Sequence, residues 1–224
     1  MPNFKSYYHA IMFDFDGTLV DTMHKYAEIA SREIHKAYGL DEDNARQLYL
    51  ETSGEPFHKQ LEIIFGEDER IAECAAAYEL RKRQYLRSVK LDDINRRLLT
   101  DIRNLGIATA ITSNNFKYLI DDFMLNENGL FDIVLGYDHK LSKGPTQFTY
   151  VIDKLGIDRR YVLFVGDSLS DARKALAYGI DFVAVSGTLR AESFQSLFPS
   201  IPVIKTLAEL YDLIIKNIPL NKGD

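Results

Sequence analysis

Apolar and polar positions follow two different rhythms along this chain. From residue 9 to 15 the run His9-Ala10-Ile11-Met12-Phe13-Asp14-Phe15 is short, aromatic and apolar, which predicts a strand buried on both faces. From about 22 to 90 the rhythm is helical. Tyr26, Ile29, Ala30, Ile34 and Ala37 recur at helix spacing, Gly39 stops that helix, and further helices are predicted over 42–51, 56–65 and 68–88. No strand signal interrupts this stretch.

From about 92 onward helices and strands alternate. A helix over 92–104 precedes a strand over 107–111, and a helix from about 116 precedes a strand over 131–135. Helices over 147–155 and 170–178 precede strands over 161–165 and 182–185, and a short strand at 202–204 and a helix over 206–216 follow. Strands separated by helices of this length form βαβ units and a parallel sheet. The first strand belongs to that sheet, so the expected fold is α/β: a doubly wound, Rossmann-like core from residues 1–20 and 92–224, with a small α-helical cap inserted over 21–91.

The first strand delivers chemistry at its carboxyl end. Asp14 and Asp16 are two residues apart, so on an extended chain they lean to one side. Gly17 then allows a sharp turn. The carboxyl ends of strands are where open α/β sheets bind ligands. Two carboxylates at one point repel unless a cation lies between them or one holds a proton, an arrangement suited to a hard divalent ion and a carboxylate nucleophile. Leu19 and Val20 follow, where a calcium loop would continue with oxygen ligands.

Other strand ends are polar as well. Thr112-Ser113-Asn114 follows the 107–111 strand, and such a turn can hold phosphate oxygens or simply cap a helix. Lys143 precedes the 147–155 helix, and Gly166-Asp167-Ser168-Leu169-Ser170-Asp171 ends the 161–165 strand and opens another helix. Asp167 is expected to face Asp14, whereas Asp171 equally suits the first turn of a helix, where an acid complements the dipole.

Composition narrows the setting. The chain has 224 residues, 46% of them hydrophobic, ample for a sizeable core. A formal net charge of -6 argues against a general nucleic-acid partner. No long uninterrupted apolar run marks a secretory signal or a membrane span, so a soluble, cytoplasmic protein is expected. The single cysteine, Cys74, forms no internal disulfide and reads as a buried helical thiol. The basic cluster Arg81-Lys82-Arg83, with Arg87 and Lys90, reads as a solvated helix face.

Taken in order, Asp14-x-Asp16-Gly17-Thr18, Thr112, Lys143 and Gly166-Asp167-Ser168-x-x-Asp171 resemble the haloacid dehalogenase-like hydrolase superfamily. The resembling branch holds phosphoglycolate phosphatases and β-phosphoglucomutases and carries a helical cap after the first strand. The resemblance implies Asp14 as nucleophile and Asp16 as the acid that protonates the leaving oxygen and later activates water. It implies Mg²⁺ held by Asp14, Asp16 (through its backbone carbonyl) and Asp167, phosphoryl oxygens held by Thr112, Ser113 and Lys143, and Asp171 supporting Mg²⁺ water or Lys143. The implied function is an Mg²⁺-dependent phosphatase acting on a small phosphorylated metabolite, such as phosphoglycolate or a sugar phosphate.

Departures from the family pattern refine this. Halogen-removing members lack the second aspartate, which is present here as Asp16. The mutases carry a histidine where this chain has Tyr26, with His24 two residues early, and an arginine in a cap loop whose counterpart, Thr52-Ser53-Gly54-Glu55-Pro56-Phe57-His58, has none. A phosphomutase is therefore the alternative. A phospho-receiver or other non-hydrolytic phosphate-binding protein is the alternative of a different class, opposed by Asp16 and by the inserted cap. Lys143-Gly144-Pro145-Thr146 stands where many relatives show Lys-Pro-x-Pro. Within loop 52–58, Ser53, Glu55 and His58 are the polar candidates for substrate contact, or members of a plain interhelical turn.

Overall fold

A computed structural model of the chain describes residues 7–125, 127 and 129–215. Residue 216 of the expected last helix, and the termini of the expected core, lie outside the described residues. The chain divides into two compact units, Met1–Val20 with Lys90–Asp224, and Asp21–Val89.

The first unit is built on six parallel strands: β1 (Ala10–Phe13), β2 (Ala108–Phe116), β3 (Ile133–Tyr137), β4 (Val162–Gly166), β5 (Asp181–Val185) and β6 (Val203–Ile204). Their order is β3-β2-β1-β4-β5-β6. β1 is central, pairing with β2 on one side and β4 on the other, and its four residues are fully buried. A strand covered on both faces cannot alternate apolar with polar residues, which is why Ala-Ile-Met-Phe reads as a continuous apolar run.

Alternate strand residues, Met12, Ala110, Phe164, Phe182 and Ala184, meet Phe148, Ala172, Ala175 and Phe194 in one core. Those partners come from α7 (Pro145–Leu155), α8 (Leu169–Tyr178) and α9 (Ala191–Leu197). Phe164 lies 5.0 Å from the Phe148 ring and 5.6 Å from the Phe182 ring, and each such burial contributes roughly 2–3 kcal/mol. Also in this unit are α5 (Asp93–Asn104), α6 (Lys117–Met124) and α10 (Ala208–Ile215). α5 buries Leu98, Leu99 and Ile102.

The second unit contains α1 (Met23–Tyr38), α2 (Glu42–Glu51), α3 (Phe57–Phe65) and α4 (Ile71–Leu86). Its core joins Tyr26, Ala30, Ile34, Tyr49, Phe57, Leu61, Cys74 and Tyr78. The hydroxyls of Tyr49 and Tyr78 are 2.9 Å apart, so each buried phenol has a polar partner. Cys74 is buried, and burial pushes its thiol up to about 11.

Three features depart from the sequence pattern. β2 runs on to Phe116, although Thr112-Ser113-Asn114 reads as a turn after the strand. The 3₁₀ turn Arg159–Tyr161 and α9 are too short to show a periodicity. Lys82 is buried, not solvated, because Cys74, Tyr78, Lys82 and Leu86 form the inward stripe of α4 at four-residue spacing. Its ammonium lies 5.0 Å from the centre of the Tyr26 ring, and its stem covers the apolar surface.

Candidate active site

The site forms at the carboxyl ends of β1, β2 and β4, where the strand order reverses direction on either side of β1. Asp14 directly follows β1. Its N–H donates to Val165 O at 2.8 Å, which continues the ladder one residue further and fixes the Asp14 backbone. Its Oδ1 accepts from the Phe15 N–H at 2.7 Å, and its Oδ2 lies 2.9 Å from Lys143 Nζ.

Lys143 is clamped on a second side. Its Nζ is 2.6 Å from Asp171 Oδ1. Asp171 Oδ2 accepts from Ser168 Oγ at 2.7 Å, and the Asp171 N–H donates back to that hydroxyl at 3.1 Å. Asp171 thus both caps α8 and neutralises Lys143, uniting the two roles its position in the sequence suggests. Gly166 makes this arrangement fit. A Cβ there would lie 2.9 Å from Asp171 Cβ and Oδ2.

Asp167 follows β4, and its Oδ2 accepts from Thr188 Oγ1 at 2.5 Å. Thr188 carries no motif signal. Its only sequence cue is a polar turn beyond the apolar strand β5, Ser186-Gly187-Thr188.

Burial and like charge govern the protonation of the cluster. Burial first, with Asp171 and Asp167 adding to it, holds the Asp14 carboxyl well above the usual carboxylate range, against the opposing pull of Lys143. Burial and the Asp171 charge push Asp167 up to about 7. Burial alone would lower the Lys143 ammonium, but the Asp14 and Asp171 carboxylates reverse this and hold it above its ordinary value. Three buried carboxylates thus share one ammonium.

One oxygen from each of Asp14, Asp167 and Asp171 falls within 4.8 Å of the others, which fits a divalent cation with oxygen ligands. All three carboxylates already have protein partners: Asp14 meets Lys143 and the Phe15 N–H, Asp167 meets Thr188, and Asp171 meets Ser168 and Lys143. The Asp16 side chain is not part of this carboxylate group. Its Oδ2 accepts from Asn115 Nδ2 at 3.0 Å. The turn carrying Asp16 is closed by Gly17 N–H to Val20 O at 2.8 Å and Leu19 N–H to Phe15 O at 3.0 Å.

β2 supplies the remaining polar groups. Thr112 is completely buried, and among the described residues its Oγ1 has no hydrogen-bond partner. An orphaned buried hydroxyl costs stability unless a ligand meets it, and a phosphoryl oxygen would. Ser113 Oγ accepts from the Asn115 N–H at 2.9 Å. Asn114 Oδ1 accepts from the Lys143 N–H at 2.9 Å, and Gln147 Nε2 donates to Ser113 O at 3.0 Å. These bonds tie the Lys143 loop to β2, although the two are 29 residues apart in sequence.

The structure therefore brings together Asp14, Lys143, Asp167 and Asp171 by direct contact or close approach, and adds Thr188 and Asn115. Ser53, Glu55 and His58 belong to the other unit, between α2 and the first turn of α3. There Ser53 is buried, and Gln60 Nε2 donates to Glu55 O at 2.9 Å.

Residues 11–185 match the sequence profile of the haloacid dehalogenase-like hydrolases. The chain is 28% identical over 190 residues to a phosphoglycolate phosphatase of Colwellia psychrerythraea, covering 79% of this chain and 83% of that one. It is 25% identical over 219 residues to a phosphoglycolate phosphatase of Synechococcus elongatus, covering 92% and 96%. Its fold is similar to the crystal structure of a haloacid dehalogenase-like hydrolase from Bacteroides fragilis, with a TM-score of 0.74, 25% identity and coverage of 91% of this chain and 99% of that one.

Proposed function

The chain belongs to the haloacid dehalogenase-like hydrolase family and is a phosphoric monoester hydrolase, and from that premise we propose an Mg²⁺-dependent phosphatase that works through an aspartyl-phosphate on Asp14. The observation that carries this reading is the Asp14–Lys143–Asp171 clamp beside Asp167, three buried carboxylates that one ammonium does not balance. Asp14, Asp167 and the backbone carbonyl of Asp16 would hold Mg²⁺. Once bound, the ion supplies charge neutralisation between the carboxylates and the phosphate and orients the two.

The chain's own residues divide the reaction into two displacements. An Asp14 oxygen attacks phosphorus, the ester P–O bond breaks, and the Asp16 proton goes to the departing oxygen. Water then attacks phosphorus, Asp16 takes its proton, and the Asp14–phosphorus link breaks to release inorganic phosphate. Lys143 balances charge on the equatorial oxygens, and the Thr112 hydroxyl and the Ser113 segment of β2 hold those oxygens.

We assign the helical unit, Asp21–Val89, as a cap domain, with Ser53, Glu55 and His58 of its 52–58 loop as the candidates for substrate contact. The substrate is a small phosphate monoester, phosphoglycolate or a sugar phosphate, in keeping with the names of the relatives. A cytoplasmic setting suits such a metabolite. Among the described residues no helix is long and apolar enough to cross a membrane.

Mutase chemistry is disfavoured by Tyr26. It is 1% exposed and sits edge-on to Tyr78 and Tyr85 in the core of the helical unit, a packing role in place of a proton-transferring histidine. The test is hydrolysis of an aryl phosphate with and without Mg²⁺ by the native chain, Asp14→Asn and Asp16→Asn, followed by a panel of phosphometabolites. Metal-dependent turnover lost in both variants supports the reading. Turnover that survives Asp14→Asn overturns it.

A further inference from the structure

We infer that Asn115 is a positioning residue for the general acid, holding the Asp16 carboxyl toward the leaving-group oxygen. The inference rests on the role given to Asp16 above. Asn115 is 3% exposed, and its Nδ2 donates to Asp16 Oδ2 at 3.0 Å across 99 residues of sequence. Its Oδ1 is buried and has no partner among the described residues. Rotating the amide by half a turn would place that carbonyl against a carboxylate, acceptor facing acceptor, so only the observed orientation is attractive. A buried acceptor left unpaired costs stability. The position therefore retains an amide for its donor, and the donor serves Asp16.

The backbone is shaped to place that donor. β2 pairs Thr112 with Leu135 and Phe116 with Tyr137, so four steps along β2 (112 to 116) face two along β3 (135 to 137). This irregularity pushes the Ser113–Asn115 segment out of the regular ladder, as bulges beside functional sites do. The Asn115 N–H is held by Ser113 Oγ at 2.9 Å. On the other side, Gly136 lets the strands approach. A Cβ there would lie 2.8 Å from Asn115 O and 2.6 Å from Lys117 Cα. Bulge, serine and glycine thus converge on one outcome, an amide aimed at Asp16.

A positioned acid matters in proportion to how poorly the leaving group departs by itself. The test is kcat/KM, which reports the step that expels the leaving group, for an alkyl phosphate and for 2,4-dinitrophenyl phosphate, with the full chain and Mg²⁺. General acid catalysis contributes about 10²–10⁴-fold, so loosening the acid in Asn115→Ala should lower kcat/KM on the alkyl ester by about 30-fold. On the dinitrophenyl ester, whose leaving group needs no proton, the loss should stay under about threefold. Asn115→Ser keeps a donor and should recover part of the alkyl loss.

Equal losses on the two esters, or no loss, would overturn the inference. Asp16→Asn, followed as release of the first equivalent of alcohol or dinitrophenol because this variant does not turn over, separates its failure from that of the reading beneath it. If Asp16→Asn shows the selective loss and Asn115→Ala does not, Asn115 has no such role and the mechanism stands. If Asp16→Asn lowers both esters equally, the general-acid role of Asp16 fails, and the inference with it. Circular dichroism identifies an Asn115→Ala chain that has lost its fold, and Asn115→Ser then decides by the same comparison.

Discussion

The Asp171 carboxylate lies 2.6 Å from the Lys143 ammonium, and both groups are buried. The two are 28 positions apart in sequence (143 to 171), and of the two partners that the family resemblance offers Asp171, Mg²⁺ water or Lys143, the structure shows the contact with Lys143. Asp171→Ala leaves Lys143 with Asp14 alone and removes the acid half of the α8 capping box. Breaking a buried pair costs about 3–5 kcal/mol. Thermal unfolding should show a fall of that size, and kcat should drop with it. Asp171→Asn keeps the shape and a cap acceptor, and should lose activity with a smaller loss of stability.

Thr112→Val should separate stability from function. The substitution keeps the shape and removes a buried hydroxyl that has no partner among the described residues. Unfolding free energy should change by less than about 1 kcal/mol, and in the stabilising direction if at all. KM for a phosphate monoester, and inhibition by inorganic phosphate, should weaken by about tenfold, the worth of one hydrogen bond to a charged group. Denaturant unfolding and a phosphate inhibition curve read the two effects separately.

The raised carboxyls make metal-induced stabilisation pH-dependent. Asp167 is pushed up to about 7 from 3.8, and Asp14 is raised as well. A folded metal-free chain therefore holds protons that the unfolded chain has released. Its stability from these groups is fully present below the ordinary carboxylate range and is lost as pH rises toward about 7. Mg²⁺ binds the ionised forms and offsets that loss. The increase in Tm on adding Mg²⁺ should be small near pH 5 and large near about pH 8. A constant increase across that range would contradict the protonation pattern.

Gly166→Ala places a Cβ 2.9 Å from Asp171 Cβ. Overpacking of this kind costs about 1–3 kcal/mol. Because the strain falls on Asp171, the variant should also lower kcat by displacing the Lys143 clamp. A small alanine elsewhere on a buried strand would not do this, and kinetics measured beside Tm distinguish the two effects.

How far the fold was legible follows from the rhythm of each segment. The central strand β1 is apolar throughout and α1 keeps its period over Tyr26, Ile29, Ala30 and Ile34, so both are plain in the sequence. β2 is legible only in its first half. Its second half carries Thr112, Ser113, Asn114 and Asn115, polar because it lines the site, and polarity reads as a turn. Lys82 misleads for the opposite reason: charge suggests solvent, whereas its long stem and two tyrosine faces allow burial. In the site, the motif residues Asp14, Asp16 and Asp167 follow strand ends and Asp171 lies in the first turn of α8, and all four can be found by pattern. Thr188 and Asn115 act through single hydrogen bonds made across 21 and 99 residues, which no local pattern encodes.

The most direct test of the account asks where the phosphoryl group goes. Asp16→Asn should accept a phosphoryl group from 2,4-dinitrophenyl phosphate, which needs no acid to depart, and fail to pass it to water for lack of a base. Intact-protein and peptide mass spectrometry after rapid quenching should then show one phosphoryl group per chain, on the peptide bearing Asp14. A native chain that turns over the ester while Asp16→Asn never carries phosphate on that peptide would contradict the aspartyl-phosphate mechanism.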